Sequence, residues 1–198
     1  MTSLPLDHPG ARIAFDVVVG AFVVSELRIR LRSERNREGS RQDRLSVRVV
    51  QVTALGGVAL GVLLTRRAPG VAVTGGPRWP LFVAGLVLMC AGIAVRQWAV
   101  ATLGRFFTID VRVQPGQTVV EDGPYRWVRH PSYTGLILTF LGFGLALGNW
   151  AALAVVFLVP TAGLVYRIRI EERALLEGLG EPYRRYAEGH RRLVPGVW

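Results

Sequence analysis

Between Tyr133 and Tyr166 lie 34 residues without a single Asp, Glu, Lys or Arg. At about 1.5 Å per residue, one helix of that length would run roughly 50 Å, against a hydrocarbon core of about 30 Å. A single straight crossing does not fit. Gly148-Asn149 falls near the middle, where a tight turn is expected. The stretch therefore reads as two short antiparallel helices forming a C-terminal hairpin, with Pro160 kinking the second.

Three further spans precede it. The first runs from about residue 11 to 29 and holds Asp16 and Glu26, so it is expected to face other helices or lie partly at the interface. The second, about 47–64, carries Gly56, Gly57 and Gly61, which leave room for a close neighbour. The third, about 80–103, is broken only by Arg96-Gln97 near its end, and Arg96 is expected to snorkel toward the headgroups. The chain thus reads as an all-α integral membrane protein with about five transmembrane helices. The first ten residues hold Asp7, His8 and two prolines and lack a basic start, so the first span reads as retained rather than cleaved.

Charge sets the topology. All 24 basic residues are Arg and the net charge is +10. Eight Arg lie between Arg28 and Arg48, which places that loop in the cytoplasm. With five spans, residues 104–131 and 167–198 fall on the same side, leaving only Arg66, Arg67 and Arg78 opposite. The Arg clusters flank hydrophobic spans and lack interleaved aromatics, so membrane lipids rather than nucleic acid are the expected partners. The single cysteine, Cys90, sits in an apolar run and excludes an intramolecular disulfide; no metal site is expected.

The densest polar segment, Glu121 to Gly135, leads directly into the hairpin. Turn-forming Gly-Pro, Pro131 at a helix start and interfacial Arg, Trp and Tyr account for it equally well as plain structure. After the hairpin, helical periodicity puts Arg167 and Glu171 on one face at i and i+4. A surface salt bridge there contributes little. Acids at the inner end of a span nevertheless run against the usual basic flank and invite a cationic partner.

The run Arg129-His130-Pro131-Ser132-Tyr133-Thr134-Gly135, followed by Glu171-Glu172, resembles the signature of the isoprenylcysteine carboxyl methyltransferase family. So do Leu103-Gly104-Arg105-Phe106-Phe107-Thr108 and Gly123-Pro124-Tyr125 before it, and Gly180-Glu181-Pro182-Tyr183-Arg184-Arg185-Tyr186 with Arg192-Leu193-Val194-Pro195 after it. The resemblance covers roughly residues 80–196. It implies an integral membrane methyltransferase using S-adenosylmethionine in a cytosol-facing pocket, consistent with the lack of a G-x-G-x-x-G after a strand pattern. Carried over by position, the cofactor contacts are Gln117, Thr118, Val119, Val120, Tyr125, His130, Pro131, Ser132, Tyr133 and Glu171, with Arg167 on the acceptor side. Eukaryotic members often have His where this chain has Gln117, and the loop from Phe107 to Val120 looks shorter here. The chain then divides into an N-terminal two-span segment with its Arg-rich loop, residues 1–75, and a methyltransferase core, residues 76–198.

The chemistry is consistent. Glu171 suits the cofactor ammonium, His130 or nearby backbone N–H groups its other polar atoms, and Arg167 a carboxylate acceptor held by two contacts. Such an acceptor is already ionised at neutral pH, so no general base is expected. A lipophilic small molecule or lipidated acceptor would enter from the bilayer. The all-Arg, Ala/Gly/Val-rich composition suits a bacterial inner membrane, where a small lipid acid or another hydrophobic metabolite would replace prenylcysteine. Other readings stay open at this point: a phospholipid-type N-methyltransferase, an NADPH-dependent sterol-type membrane reductase, or a non-catalytic membrane protein.

Overall fold

The computed structural model describes residues 5–35, 45–194 and 198. Six α-helices carry it: α1 (Pro9–Arg35), α2 (Leu45–Arg67), α3 (Arg78–Leu103), α4 (Pro131–Ala146), α5 (Trp150–Leu179) and α6 (Glu181–Gly189). The described residues contain isolated β-bridges but no named strand. Helices α2, α3 and α5 are long and apolar enough to cross a membrane, and α4 is a shorter apolar helix. With α1 they stand where five spans were expected. Apolar side chains such as Val17, Val52, Leu55, Val87 and Leu158 are exposed, as lipid-facing positions should be. Much of the Arg-rich loop, including Arg37, Arg41 and Arg44, lies outside the described residues.

The hairpin turns where its sequence predicts. Gly148 takes φ +64°, a left-handed conformation that glycine adopts at little cost. Asn149 caps α5: its side-chain oxygen accepts from the Ala152 N–H at 3.0 Å, and its amide donates to the Ala68 carbonyl at 2.9 Å. The Val73 N–H adds a bond to the Gly148 carbonyl at 2.8 Å. Helix α5 runs on past Tyr166 to Leu179, because an α-helix satisfies its own backbone and need not stop where the charges begin.

Small residues set the helix spacing. Gly85 and Gly92 on α3 face Gly142 and Gly135 on α4, running antiparallel. A Cβ on Gly85 would lie 2.6 Å from the Gly142 carbonyl oxygen and 2.8 Å from the Ala146 nitrogen. Along α2, a Cβ on Gly57 would meet the Pro160 ring at 3.0 Å. Pro160 therefore sits inside a continuous α5 and packs into the space Gly57 leaves. Without a hydrophobic drive between helices in lipid, such close backbone approach supplies the packing energy. Helix α1 leans on this frame through Phe15, whose ring meets Phe143 with centroids 5.2 Å apart.

Gly85→Ala should therefore overpack the α3–α4 seam and destabilise the fold by about 1–3 kcal/mol. A lower unfolding temperature in detergent checks it; an unchanged one would show that the seam has slack.

Candidate active site

A cavity of ≈ 790 Å³ opens between α1, α2, α4, α5, α6 and the 104–130 connection. That size falls within the range of about 300–1,000 Å³ typical of small-molecule sites. Its two ends differ. At membrane depth the walls are mainly apolar, from Phe22 on α1, Val50 on α2, Leu136 and Phe140 on α4 and Leu164 on α5, with Glu26 and Arg96 among them. At the loop end they include residues 117–120, Tyr125, His130, Glu171 and Tyr183.

The loop end is assembled by backbone bonds between distant segments. The Arg129 and His130 N–H groups donate to the carbonyls of Arg191 and Arg192 at 2.8 and 2.9 Å. The Thr134 hydroxyl donates to the Leu193 carbonyl at 2.8 Å. Residues 191–193 thus strap the start of α4, where a helix leaves its own N–H groups unpaired. On α6, the Tyr186 hydroxyl donates to the Tyr125 carbonyl at 2.7 Å. Segments 104–131 and 167–198 do come together at one end of the bundle, as the charge pattern predicts.

The two adjacent glutamates do different work. Glu172 is 7% exposed and gathers three cations or donors. Arg129 Nη1 lies at 3.0 Å, His130 Nε2 at 3.3 Å, and Arg192 Nε and Nη2 both at 2.9 Å. Glu171, one residue earlier and about 100° round the helix, lines the cavity and accepts a hydrogen bond from the Tyr133 hydroxyl. Arg167 Nε donates to that same hydroxyl at 2.7 Å. The i, i+4 pair is therefore joined through Tyr133. Arg167 is 6% exposed, not a surface ion-pair partner. Its Nη1 donates to Ser46 at 3.0 Å, and its Nη2 to the Ile109 carbonyl, tying α5 to α2 and the connection.

Most of the expected contact residues line this cavity: Gln117, Thr118, Val119, Val120, Tyr125, His130, Ser132, Tyr133, Glu171 and Arg167. The Gln117 side-chain oxygen accepts from the Gln114 N–H at 2.8 Å and shapes the turn there. His130 stacks on Tyr133, ring centroids 5.5 Å apart, and faces Glu172. Pro131 is buried in the first turn of α4 and is not part of the cavity wall. Burial pushes the phenols of Tyr125 and Tyr186 above their ordinary range, so both remain protonated donors.

Arg96 corrects an expectation. It does not snorkel: it is 7% exposed and pairs through two nitrogens with Glu26 on α1, Nη2 to Oε2 at 2.8 Å. Its Nη1 donates to the Ser132 hydroxyl at 2.7 Å. A lipid-facing Arg reaches outward; one facing a carboxylate across a helix pair is held in place. Asp16, by contrast, is exposed beside Arg12 at 3.9 Å. The signal available in sequence was the coexistence of one acid and one base inside two apolar spans. Glu172's role was also missed, although Arg129, His130 and Arg192 all stood in the motifs.

Residues 85–177 match the Isoprenylcysteine carboxyl methyltransferase (ICMT) family, bearing out the resemblance drawn from the motifs. The chain is 33% identical over 99 residues to the uncharacterized protein YpbQ of Bacillus subtilis, covering 50% of this chain and 58% of that protein. It is 33% identical over 115 residues to protein-S-isoprenylcysteine O-methyltransferase A of Arabidopsis thaliana, covering 57% and 58%. Among solved structures it is similar to the eukaryotic intramembrane Ras methyltransferase ICMT, at 26% identity with a TM-score of 0.60, over 74% of this chain and 52% of that one. The chain thus spans well under two thirds of the length of these relatives.

Replacing Glu172 by Gln leaves Arg129 and Arg192 without their carboxylate and should destabilise the protein by on the order of 3 kcal/mol. Glu171→Gln should cost much less. Parallel thermal unfolding in detergent reads the contrast, and equal losses would contradict this division.

Proposed function

We propose that this chain, which shares the motif order and fold of the isoprenylcysteine carboxyl methyltransferase family over residues 85–177, is an S-adenosylmethionine-dependent membrane methyltransferase acting on a lipophilic acceptor. One observation carries the reading. A single cavity joins a carboxylate at its loop end, Glu171, to walls of apolar side chains at membrane depth. A polar, charged donor fits one end and a greasy acceptor the other.

The residues present fit the cofactor. Glu171 is placed to receive an ammonium, and the phenol of Tyr125 with the backbone of residues 117–120 offers surface for the remainder. When bound, the cofactor supplies an electrophilic methyl group on a sulfonium. The protein's task is then orientation and exclusion of water. Tyr133 holds Glu171 and Arg167 in fixed relation, and Ser132 is fixed by Arg96. Arg167 is assigned to the acceptor side, where a guanidinium orients a carboxylate. An acceptor carboxylate, with an unperturbed pKa of about 3.5, needs no base.

The acceptor belongs to the class of lipidated or small lipid acids that includes the isoprenylcysteine named for the relatives. In this reading α1 and α2 wall the acceptor end together with Leu136, Phe140 and Leu164, and residues 76–198 also hold the donor. Eight Arg between Arg28 and Arg48 support a cytoplasmic orientation of the loop end. The all-Arg composition supports a bacterial inner membrane as its location.

Calorimetric titration of the full chain in detergent with S-adenosylhomocysteine tests the reading. The wild-type protein should bind, and folded Glu171→Ala should not; equal binding by the variant would remove the ammonium role, and no binding by wild type would remove the cofactor. Arg167→Ala should lower turnover by on the order of 10²-fold with a much smaller change in cofactor affinity. A loss confined to cofactor affinity would move Arg167 to the donor side.

A further inference from the structure

Helix α1 turns one stripe of side chains toward the cavity: Val19, Phe22, Val23, Glu26, Leu27 and Arg30. Their spacing of three and four residues is that of a single helical face, and Glu26 stands near its middle as the only acid. The ion pair it forms is asymmetric. The Arg96 side chain is 8% exposed, whereas that of Glu26 keeps 31%. The guanidinium is enclosed by protein and the carboxylate borders open space. Arg96 reaches it through two nitrogens, Nε to Oε1 and Nη2 to Oε2. A carboxylate offers about four lone-pair sites, so these two bonds leave acceptor capacity on the cavity side.

That capacity lies in a mainly apolar wall, where an acceptor without a donor costs more than it does in water. Arg96 already balances the charge, so a neutral donor suits the site better than a second cation. Position narrows the choice further. Arg96 also holds the Ser132 hydroxyl at 2.7 Å, and the next residue, Tyr133, joins Arg167 to Glu171. Glu26 therefore stands where the apolar end of the cavity meets the reacting centre. We propose that Glu26 is a specificity residue. It accepts a hydrogen bond from an amide N–H or hydroxyl that the acceptor carries close to its methylated carboxylate, and so selects such lipids over plain fatty acids. The proposal rests on the methyltransferase reading with a lipid acid as acceptor. It adds a residue from α1, outside the matched residues 85–177.

Two pairs of probes test it, each pair differing mainly in the donor. N-dodecanoylglycine is set against dodecanoyloxyacetic acid, in which an ester oxygen replaces the amide N–H. For the hydroxyl, 3-hydroxytetradecanoic acid is set against tetradecanoic acid. Each is offered with S-adenosylmethionine to the full chain in lipid nanodiscs, and kcat/KM for methyl ester formation is compared within each pair. The wild-type protein should favour the donor-bearing member of at least one pair by roughly tenfold or more, as expected for a hydrogen bond to a charged group. Glu26→Gln should bring that ratio down toward one. Glu26→Asp keeps a charge for Arg96 but draws the carboxylate back by a methylene; it should lower the ratio too, and it serves if the Gln variant does not fold. A ratio taken within one variant cancels any general loss of stability or turnover, which a merely structural role would produce. A wild-type ratio near one in both pairs, or a preference that survives both substitutions, would overturn the proposal. So would wild-type protein that binds S-adenosylhomocysteine yet methylates none of the four probes. Failure to bind S-adenosylhomocysteine would instead remove the methyltransferase reading itself.

Discussion

An ionised carboxylate taken out of water loses several kcal/mol of hydration unless cations and donors replace it, and Glu172 meets that condition from three directions. Arg129 and His130 come from the turn before α4, Arg192 from the segment after α6. Each partner also fixes something the cavity needs. His130 stacks on Tyr133, Tyr133 holds Glu171, and Arg129 and His130 carry the backbone donors that the strap engages. Loss of this one charge would loosen the loop wall of the cavity.

A second ion pair, with Arg96 buried and Glu26 partly exposed, plays the corresponding part at membrane depth. Glu26 and Arg96 join α1 to α3, and Arg96 reaches on to Ser132 in the turn that opens α4. Helix α1 packs on the remainder mainly through apolar contacts, which set distance but not register. An ion pair in a low-dielectric setting adds direction to that contact. The N-terminal spans, outside the matched family region, are therefore bonded into the site rather than added beside it.

The hairpin was legible because an uncharged run too long for one crossing, with Gly-Asn at its midpoint, has few other solutions. The paired ends of residues 104–131 and 167–198 followed from counting Arg. The site was legible in part. Periodicity placed Arg167 with Glu171, but not the Tyr133 hydroxyl that stands between them, because a residue 34 positions away in sequence leaves no local trace. Arg96 was misjudged for the same reason: its position near a span end is visible locally, whereas Glu26, 70 residues earlier, is not. Adjacent Glu171 and Glu172 look alike in a string; only their angular separation on the helix, and what each side meets, tells them apart.

The strap has a consequence for the order of assembly. A chain emerging N-terminus first delivers α4 and α5 to the bilayer before residues 191–193 have been synthesised. The hairpin contains its own turn and cap, so it inserts without them. The turn before α4 then waits, the Arg129 and His130 N–H groups and the Thr134 hydroxyl still without these acceptors, until the Arg191, Arg192 and Leu193 carbonyls arrive. Insertion into lipid and completion of the binding cavity are thereby separated in time, and ribosome-bound chains already integrated in the membrane still lack a finished site.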